Sequence, residues 1–322
     1  MTRLAKDLRE RSGLTEFMVR DCCPSCASTA CESRVRTPFA DPMLAGFLES
    51  HYEGRAQLSR LAGMKFAVDQ CLQCGLIFQR TVPAQSLLEA IYDEWIPATE
   101  KERLRESYTL DSQRYLAGQI EFLVQHFGAR PAQLDVFDFG FGWAEWVSLA
   151  RGYGCNVFGT ELSRERLEYA QSMGISTIEW DDIPKYKFHF INAEQVFEHL
   201  IHPRETLEHL VKAMRPDGLL MISVPDGKGT DTELKRLERS GCWDALRLLP
   251  IQPLEHVNCF DHSSLVALGR IASLRPVRPA LRKLYNASSG WFEPRNAVRN
   301  LLRPIYRHIY PKSTFVYFAK NR

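Results

Sequence analysis

The chain has 322 residues, of which 45% are hydrophobic and 25% charged, so it can bury one large core or a large core with a small additional unit. Its net charge of +2 argues against general affinity for nucleic acid or membranes, and no apolar run approaches the roughly 18 residues of a membrane span. Nine cysteines and a charged start without the apolar core of a secretion signal predict a reducing compartment, the cytoplasm.

Two Cys-x-x-Cys pairs stand in the first hundred residues. Cys23 and Cys26 form the first pair, and Cys71 and Cys74 form the second. Each pair can present two thiolates to one tetrahedral zinc ion, and four thiolates close the coordination shell. The pattern therefore predicts a structural zinc site, although unliganded core or redox cysteines remain the alternative.

A strand, a tight turn, a helix and a second strand follow one another between Leu134 and Ser163. The first strand is a short apolar run, typical of a buried parallel strand, and it ends at Gly140 and Gly142. Glycine permits positive φ and lets a ligand approach the backbone, and the following helix directs its N-terminus at that ligand. Glu161 stands just past the second strand, where an acid can accept hydrogen bonds from both hydroxyls of a ribose.

Two acidic residues indicate which nucleotide this turn binds. An NAD-binding turn needs Gly or Ala three positions after its second glycine, and here that position is Glu145. Asp138, before the first glycine, would repel a diphosphate but attract the sulfonium or ammonium of S-adenosylmethionine. The residues therefore predict S-adenosylmethionine binding, with a glycine turn that binds nothing as the alternative.

Alternating strand and helix patterns continue after Glu161. Further strands are predicted near Ile175–Ile178, over Phe188–Gln195 and over Leu219–Val224. This alternation predicts an α/β fold with a doubly wound, Rossmann-like parallel sheet. We expect three regions: 1–99, a zinc-binding and substrate-enclosing region; 100–228, the cofactor-binding core; and 229–322, a substrate-side insertion ending in a strand that lies antiparallel at the sheet edge.

The acid-x-Gly-x-Gly pattern of Asp138, Gly140 and Gly142, with Glu161 after the next strand, resembles the class I S-adenosylmethionine-dependent methyltransferases. The resemblance implies that the whole turn contacts the cofactor, including Phe141 and Trp143, the latter where the family usually has a third small residue. It also implies adenine contacts from the loop after the third strand, and the carboxyl end of the fourth strand should contact the methionine moiety. The residues at these two places are Asp181, Asp182, Glu194 and Gln195. Solvated loop acids are the alternative for the first two.

The cysteine pairs, the segment Cys71–Phe78 and a helix over Leu87–Tyr92 together resemble zinc-domain methyltransferases that include the deoxysugar C-methyltransferases. In that family a Tyr-x-Glu-His motif supplies active-site residues, with His as the base. Glu255 and His256 match it here, whereas Pro253 replaces the tyrosine. The resemblance therefore implies methylation of a small-molecule acceptor, such as C-methylation of a nucleotide-linked keto sugar, with His256 as base and Glu255 orienting it. A structural or solvated histidine is the alternative.

The segment Arg275–Lys312 carries nine basic residues and one acid. Arg295, Arg299, Arg303 and Arg307 recur every four residues and indicate a basic helix that binds a phosphorylated or carrier-linked acceptor or an anionic membrane. A solvated basic face is the alternative.

Two other functions stay open at this point. The chain could be an RNA base methyltransferase that uses its zinc unit for RNA, or a zinc module that docks on a partner without catalysis. Nucleic acid is disfavoured because the N-terminal region lacks a basic and aromatic patch. We expect a monomer or a homodimer.

Overall fold

The computed structural model describes residues 16–96, 109–241, 243–278, 297–298, 301–302 and 313–321. The predicted basic helix around Arg299 and Arg303 lies outside these residues. Within them, no helix is both long and apolar enough to cross a bilayer.

The chain divides into two compact units, each built from separate stretches. The first, which we call the cysteine unit, comprises Met1–Arg103, Phe197–Leu207 and Val224–Ile271. The second, the sheet unit, comprises Leu104–Val196, Glu208–Ser223 and Ala272–Arg322. This division differs from the predicted limits of 1–99, 100–228 and 229–322, because two later stretches fold with the N-terminal region.

The sheet unit begins with a long helix whose ends follow from its sequence. The helix α3 (Leu110–Phe127) starts at the N-cap Thr109, which forms a capping box with Ser112, and ends at Gly128 with a left-handed φ of 60°. Its apolar stripe buries Ile120 and Leu123 in the core.

Seven strands form the central sheet of this unit, in the order β12-β13-β10-β9-β6-β7-β8. The five strands β10, β9, β6, β7 and β8 are parallel to one another. Their limits are β6 (Asp135–Phe139), β7 (Asn156–Thr160), β8 (Ser176–Thr177), β9 (Phe188–Glu194) and β10 (Met214–Pro225). The helices between them are α4 (Glu145–Gly152), α5 (Arg164–Ser172) and α6 (Pro203–Ala213). The predicted α/β fold with its parallel Rossmann-like sheet is confirmed.

The last strand does not lie where the sequence predicts it. β13 (Ser313–Lys320) lies between β10 and β12 (Leu274–Val277), and β12 forms the edge, antiparallel to β13. The prediction of a final strand at the sheet edge is wrong. Phe318 is fully buried, which the interior position explains.

The cysteine unit contains two smaller sheets. Four strands pair antiparallel in the order β11-β4-β3-β2, and β1 pairs with β5. The strands are β1 (Phe17–Val19), β2 (Cys31–Pro38), β3 (Lys65–Cys71), β4 (Ile77–Gln79), β5 (Thr81–Pro83) and β11 (Asn258–Cys259). Around them lie α1 (Pro42–His51), α2 (Gln85–Ala90), α7 (Thr230–Ser240) and α8 (His262–Ile271). Asp41 caps α1 by accepting N–H bonds from Met43 and Leu44.

A separate core fills the cysteine unit. Leu44 and Leu48 of α1 pack with residues of the sheet and with Leu234 of α7. Tyr52 and Trp95, both fully buried, meet edge to face with ring centroids 5.3 Å apart. The late segments of the chain therefore contribute directly to the core of the N-terminal region.

Gly227 lies in the cysteine unit, two residues after the end of β10, and tolerates no side chain. Its N–H donates to Phe260 O at 2.9 Å, and a Cβ built there would lie 2.6 Å from that oxygen. We expect Gly227→Ala to lower the free energy of unfolding by about 1–3 kcal/mol, because backbone would have to shift.

Gly46→Ala is the matched control, since a Cβ at that position of α1 meets nothing within 4 Å. It should raise stability by about 0.5–1 kcal/mol. Thermal unfolding followed by circular dichroism measures both changes. A Gly227→Ala protein as stable as the Gly46→Ala protein would contradict the packing described for this loop.

Candidate functional site

The glycine turn after β6 is held tightly against the end of β7. Gly140 and Gly142 adopt φ of 73° and 54°, and the N–H of Gly140 donates to Thr160 O at 2.9 Å. A Cβ on Gly140 would lie 2.7 Å from Val196 Cγ2. Ala144 also has a left-handed φ of 62° before α4 begins, a strained backbone of the kind found at functional sites.

Glu161 lies directly beside this turn. Its Oε2 accepts the N–H of Gly142 at 2.9 Å, and its Oε1 accepts those of Leu162 and Ser163 at 2.8 and 3.2 Å. These contacts fix the carboxylate at the carboxyl end of β7, next to β6. The sequence predicts this proximity, and carboxylate oxygens placed here suit the hydroxyls of a ribose.

Asp138 is a buried acid within β6, only 3% exposed. Its Oδ1 accepts the amide of Asn192 at 2.9 Å. Burial raises the pKa of Asp138 to about 7, although the bond from Asn192 lowers it, and the negative charges of Glu194 and Glu161 raise it further. A cation bound nearby would favour the ionised form of this group.

The end of β9 adds a second strained position. Gln195 has a left-handed φ of 55°, and its N–H donates to Ser223 O at 2.8 Å. Burial raises the pKa of Glu194, which also accepts a hydrogen bond from Tyr115. Because β9 pairs parallel with β6, these residues lie at the same end of the sheet as the glycine turn, where the parallel strands have their carboxyl ends.

The two aromatic residues of the turn play different parts. Phe141 is buried, and a Cβ on Gly159 would lie 2.5 Å from its Cδ1. Its side chain is therefore part of the core, and only its backbone remains for a ligand. Trp143 packs edge to face on Tyr169, at 5.7 Å between centroids, with Arg166 over its ring at 5.5 Å.

Asp181 and Asp182 lie in a short 3₁₀ turn, Trp180–Lys185. Asp182 forms an ion pair with Lys185, and both partners are largely exposed. The adenine contact predicted for these acids stays a prediction. Sequence reasoning missed Asn192, the single amide of β9, which lies opposite Asp138 in the register of the sheet.

The four predicted zinc ligands converge in the cysteine unit. Cys23 Sγ lies 3.6 Å from Cys74 Sγ, and Cys26 Sγ lies 3.5 Å from Cys71 Sγ, with all four sulfurs within 4.8 Å of one another. A tetrahedral ion with Zn–S bonds of about 2.3 Å needs sulfurs about 3.8 Å apart. The cluster therefore fits zinc with little movement.

A group of histidines and acids lies elsewhere in the cysteine unit. Glu255 accepts hydrogen bonds at its Oε1 from Tyr52 Oη at 2.8 Å and from Gln252 Nε2 at 3.1 Å, and its Oε1 lies 2.9 Å from His51 Nε2. The Nδ1 of His256 instead lies 2.5 Å from Leu249 O. The prediction that the Glu255 carboxylate orients His256 therefore needs correction, because a backbone carbonyl has that role.

His199 packs against His256, with ring centroids 4.8 Å apart. Its Nδ1 lies 3.1 Å from Glu255 O and 3.4 Å from Tyr92 Oη. Burial lowers the pKa of His199 to about 4, helped by the charge of His256, and burial also lowers the pKa of His256. Both rings are therefore neutral near pH 7, as a proton acceptor must be. Glu198 and the two histidines also place potential metal-ligating atoms within 4.8 Å of one another.

Three solved structures illustrate what the chain is similar to. The plantazolicin methyltransferase BamL, solved with a triazolic desmethylPZN analog and SAH, has 12% identity, a TM-score of 0.47 and coverage of 73% of this chain and 94% of its own. The plantazolicin methyltransferase BpumL, solved with a pentazolic desmethylPZN analog and SAH, has 14% sequence identity and a TM-score of 0.48. The match covers 73% of this chain and 95% of BpumL. Magnesium protoporphyrin IX methyltransferase from Synechocystis PCC 6803 has 13% sequence identity and a TM-score of 0.44. The match covers 74% of this chain and 100% of that protein. No curated protein matches significantly.

A family profile gives a stronger result. Residues 108–275, just over half of the chain, match the family described as methyltransferase domain. The matched region includes the glycine turn, Glu161 and the ends of β6, β7 and β9. The chain therefore belongs to the methyltransferase-domain family.

Proposed function

We propose that the sheet unit binds S-adenosylmethionine at the glycine turn and that the chain methylates a small-molecule biosynthetic acceptor. The observation that carries the binding proposal is the Glu161 carboxylate, which is held by three N–H groups beside Gly142. An acid fixed at the carboxyl end of the strand next to β6 suits a ribose, and the φ-positive glycines leave room for a ligand at the backbone.

The charges around the turn suit a positively charged ligand. Asp138, Glu161 and Glu194 lie at neighbouring strand ends, and their mutual repulsion raises the pKa of Asp138 beyond the effect of burial. A sulfonium or ammonium group would relieve this repulsion, whereas a diphosphate would increase it. We assign Glu194 and Gln195 to the methionine moiety, Gly140 to Trp143 to the methionine and ribose, and Asp181 and Asp182 to the adenine.

We propose that the acceptor is a carbon acid, such as the carbon next to the ketone of a nucleotide-linked keto sugar. When bound, S-adenosylmethionine supplies an electrophilic methyl group. The task of the protein is to remove the acceptor proton and hold the resulting enolate in line. His256 is suited to this task because Leu249 O fixes Nδ1–H and leaves the Nε2 lone pair to take the proton.

We also propose that Cys23, Cys26, Cys71 and Cys74 hold one structural zinc ion. Four thiolates leave no open coordination position, so the ion would order the cysteine unit and take no part in the reaction. Although burial raises the pKa of Cys71, N–H bonds from Cys74 and Gln73 lower it to about 7 overall. Hydrogen bonds of this kind support a thiolate ligand.

The basic segment Arg275–Lys312 supplies the anion-binding part of the proposal. Arginine forks bind two phosphate oxygens at once, which suits the diphosphate of a nucleotide-linked acceptor or the phosphopantetheine of a carrier. The supporting observation is the charge of the sequence alone, because Arg299 and Arg303 lie outside the described residues.

Glu161→Gln should weaken binding of S-adenosylhomocysteine by roughly 10- to 100-fold, because it removes charge-assisted bonds to the ribose. Calorimetric titration of the unchanged protein should show micromolar or tighter binding, on the order of 8 kcal/mol. Glu165→Gln, at an exposed position of α5, should bind like the unchanged protein. No heat with S-adenosylhomocysteine, together with clear binding of NAD, would refute the assignment.

Metal analysis of protein purified without added zinc should find about one tightly held equivalent. Cys71→Ser should lose this metal and destabilise the cysteine unit, because it removes one of four ligands. Cys155→Ser, in the sheet unit, is the control and should keep the metal. Well-folded protein that contains no metal would exclude a structural zinc ion.

His256→Ala should slow exchange of the acceptor's α-hydrogen with deuterium by at least about 100-fold, because it removes the base. The exchange is followed by NMR once a ketone acceptor is identified, with S-adenosylhomocysteine bound so that no methyl transfer competes. His202→Ala, a change at a half-exposed histidine of the same unit, should exchange normally. Undiminished deuterium exchange in His256→Ala would show that His256 is not the base.

A further inference from the structure

Arg20 places a cation deep inside the cysteine unit. Its side chain is only 9% exposed, and its guanidinium donates to four backbone carbonyls. Nη1 reaches Gln79 O and Val257 O at 3.2 and 3.0 Å, and Nη2 reaches Leu200 O and Ile201 O at 3.1 and 2.8 Å. Burial lowers the pKa of Arg20 to about 9, which still leaves it protonated at neutral pH.

Three of the carbonyls that Arg20 contacts belong to residues that closely follow His199 or His256 in the chain. Leu200 and Ile201 directly follow His199, and Val257 directly follows His256. One planar group therefore joins two loops that are more than fifty residues apart in sequence. Leu200 and Ile201 lie outside regular secondary structure, so their carbonyls need donors such as Arg20, whereas Val257 O also accepts the backbone N–H of Gln79 at 2.9 Å.

Asn258 provides a second link between the same loops. Its Nδ2 donates to Phe197 O at 2.9 Å and to Leu200 O at 2.6 Å, and its N–H donates to Glu198 O at 3.0 Å. The two links act on both sides of His199. The two rings themselves contact Glu255 O and Leu249 O through Nδ1.

We propose that Arg20 is a positioning residue for His199 and His256: it fixes the two loops so that both imidazoles present Nδ1 to backbone carbonyls, which leaves Nε2 of His256 for the acceptor. This inference rests on the proposed function, since it concerns the residue assigned there as the base. Four acceptors for one guanidinium distinguish Arg20 from a surface arginine, whose contacts are exchanged with water and contribute little. A buried planar fork restricts direction as well as distance.

The rival explanation is that Arg20 only stabilises the unit. Removing it would take a buried donor from each of these carbonyls, although Leu200 O would keep the amide of Asn258 and Val257 O the N–H of Gln79. That loss would appear in a melting temperature whether or not the histidines move. A decisive readout must therefore report the state of the imidazoles in protein that remains folded.

The test is ¹⁵N NMR of histidine-labelled protein at pH 7, compared among the unchanged protein, Arg20→Lys and Arg20→Ala. His256 should be a single neutral tautomer protonated at Nδ1 in the unchanged protein, with its signal assigned from His256→Gln. Both Arg20 variants should lose this single-tautomer signal while they keep their zinc. Arg34→Lys, a change at a partly buried arginine that contacts Asp231 and Gln70, should leave it unchanged.

Rescue provides an independent readout. Guanidinium at a low, non-denaturing concentration should restore the His256 signal of Arg20→Ala, and sodium chloride at equal ionic strength should not. Folded, zinc-loaded Arg20 variants with an unaltered His256 tautomer would overturn the proposal. Unfolding of both variants would do so as well, since Arg20 would then be a general stability residue. The deuterium-exchange experiment on His256→Ala tests the base itself, so the two failures are distinguishable.

Discussion

Burial of the Asp138 carboxylate is the constraint on which the candidate cofactor site depends. Moving an ionised acid out of water costs several kcal/mol unless it is compensated, and the amide of Asn192 compensates only part of this cost. The remainder appears as a pKa of about 7. In the register of the sheet Asp138 lies opposite Gly159 and Asn192, which bring neither bulk nor charge. A cation bound at the end of β6 would therefore stabilise the ionised form of Asp138 and offset the free-energy cost of its burial. This is the physical basis of the proposed preference for S-adenosylmethionine.

Local patterns were sufficient for the centre of the sheet unit. The apolar run of β6, the glycines that follow and the acid after β7 lie within thirty residues, and parallel strand pairing brings their ends to one edge wherever the fold is α/β. The cysteine pairs were also predictable, since the local spacing of each Cys-x-x-Cys brings its two thiolates together and a single ion can bind both pairs. These two predictions required no knowledge of long-range pairing beyond the alternation of elements.

Predictions that depended on distant pairing were less successful. Nothing in residues 224–271 indicates that they fold with the N-terminal region, because β11 is only two residues long and its partner β4 is far away in sequence. The edge position of β12 was missed for the same reason, since a strand of four residues shows almost no hydrophobic periodicity. Glu255 next to His256 suggested a pair, yet adjacent side chains diverge, and Tyr52, from more than two hundred residues earlier, takes the carboxylate instead.

Two buried aspartates show how the units use the same residue differently. Asp69 in the cysteine unit is 2% exposed, close to the 3% of Asp138, but it forms ion pairs with Arg36 and Arg80. Arg80 in turn donates to Arg20 O at 2.6 Å, so the charge of Asp69 supports the arginine that contacts the histidine loops. Such a network is complete within the protein and favours a fixed structure. Among the described residues Asp138 has no such cation, and the donors that lower its pKa, the amide of Asn192 and the backbone N–H of Val147, are uncharged. A buried acid that the chain itself neutralises is structural, whereas one whose charge the chain leaves uncompensated marks the place where a charged ligand belongs.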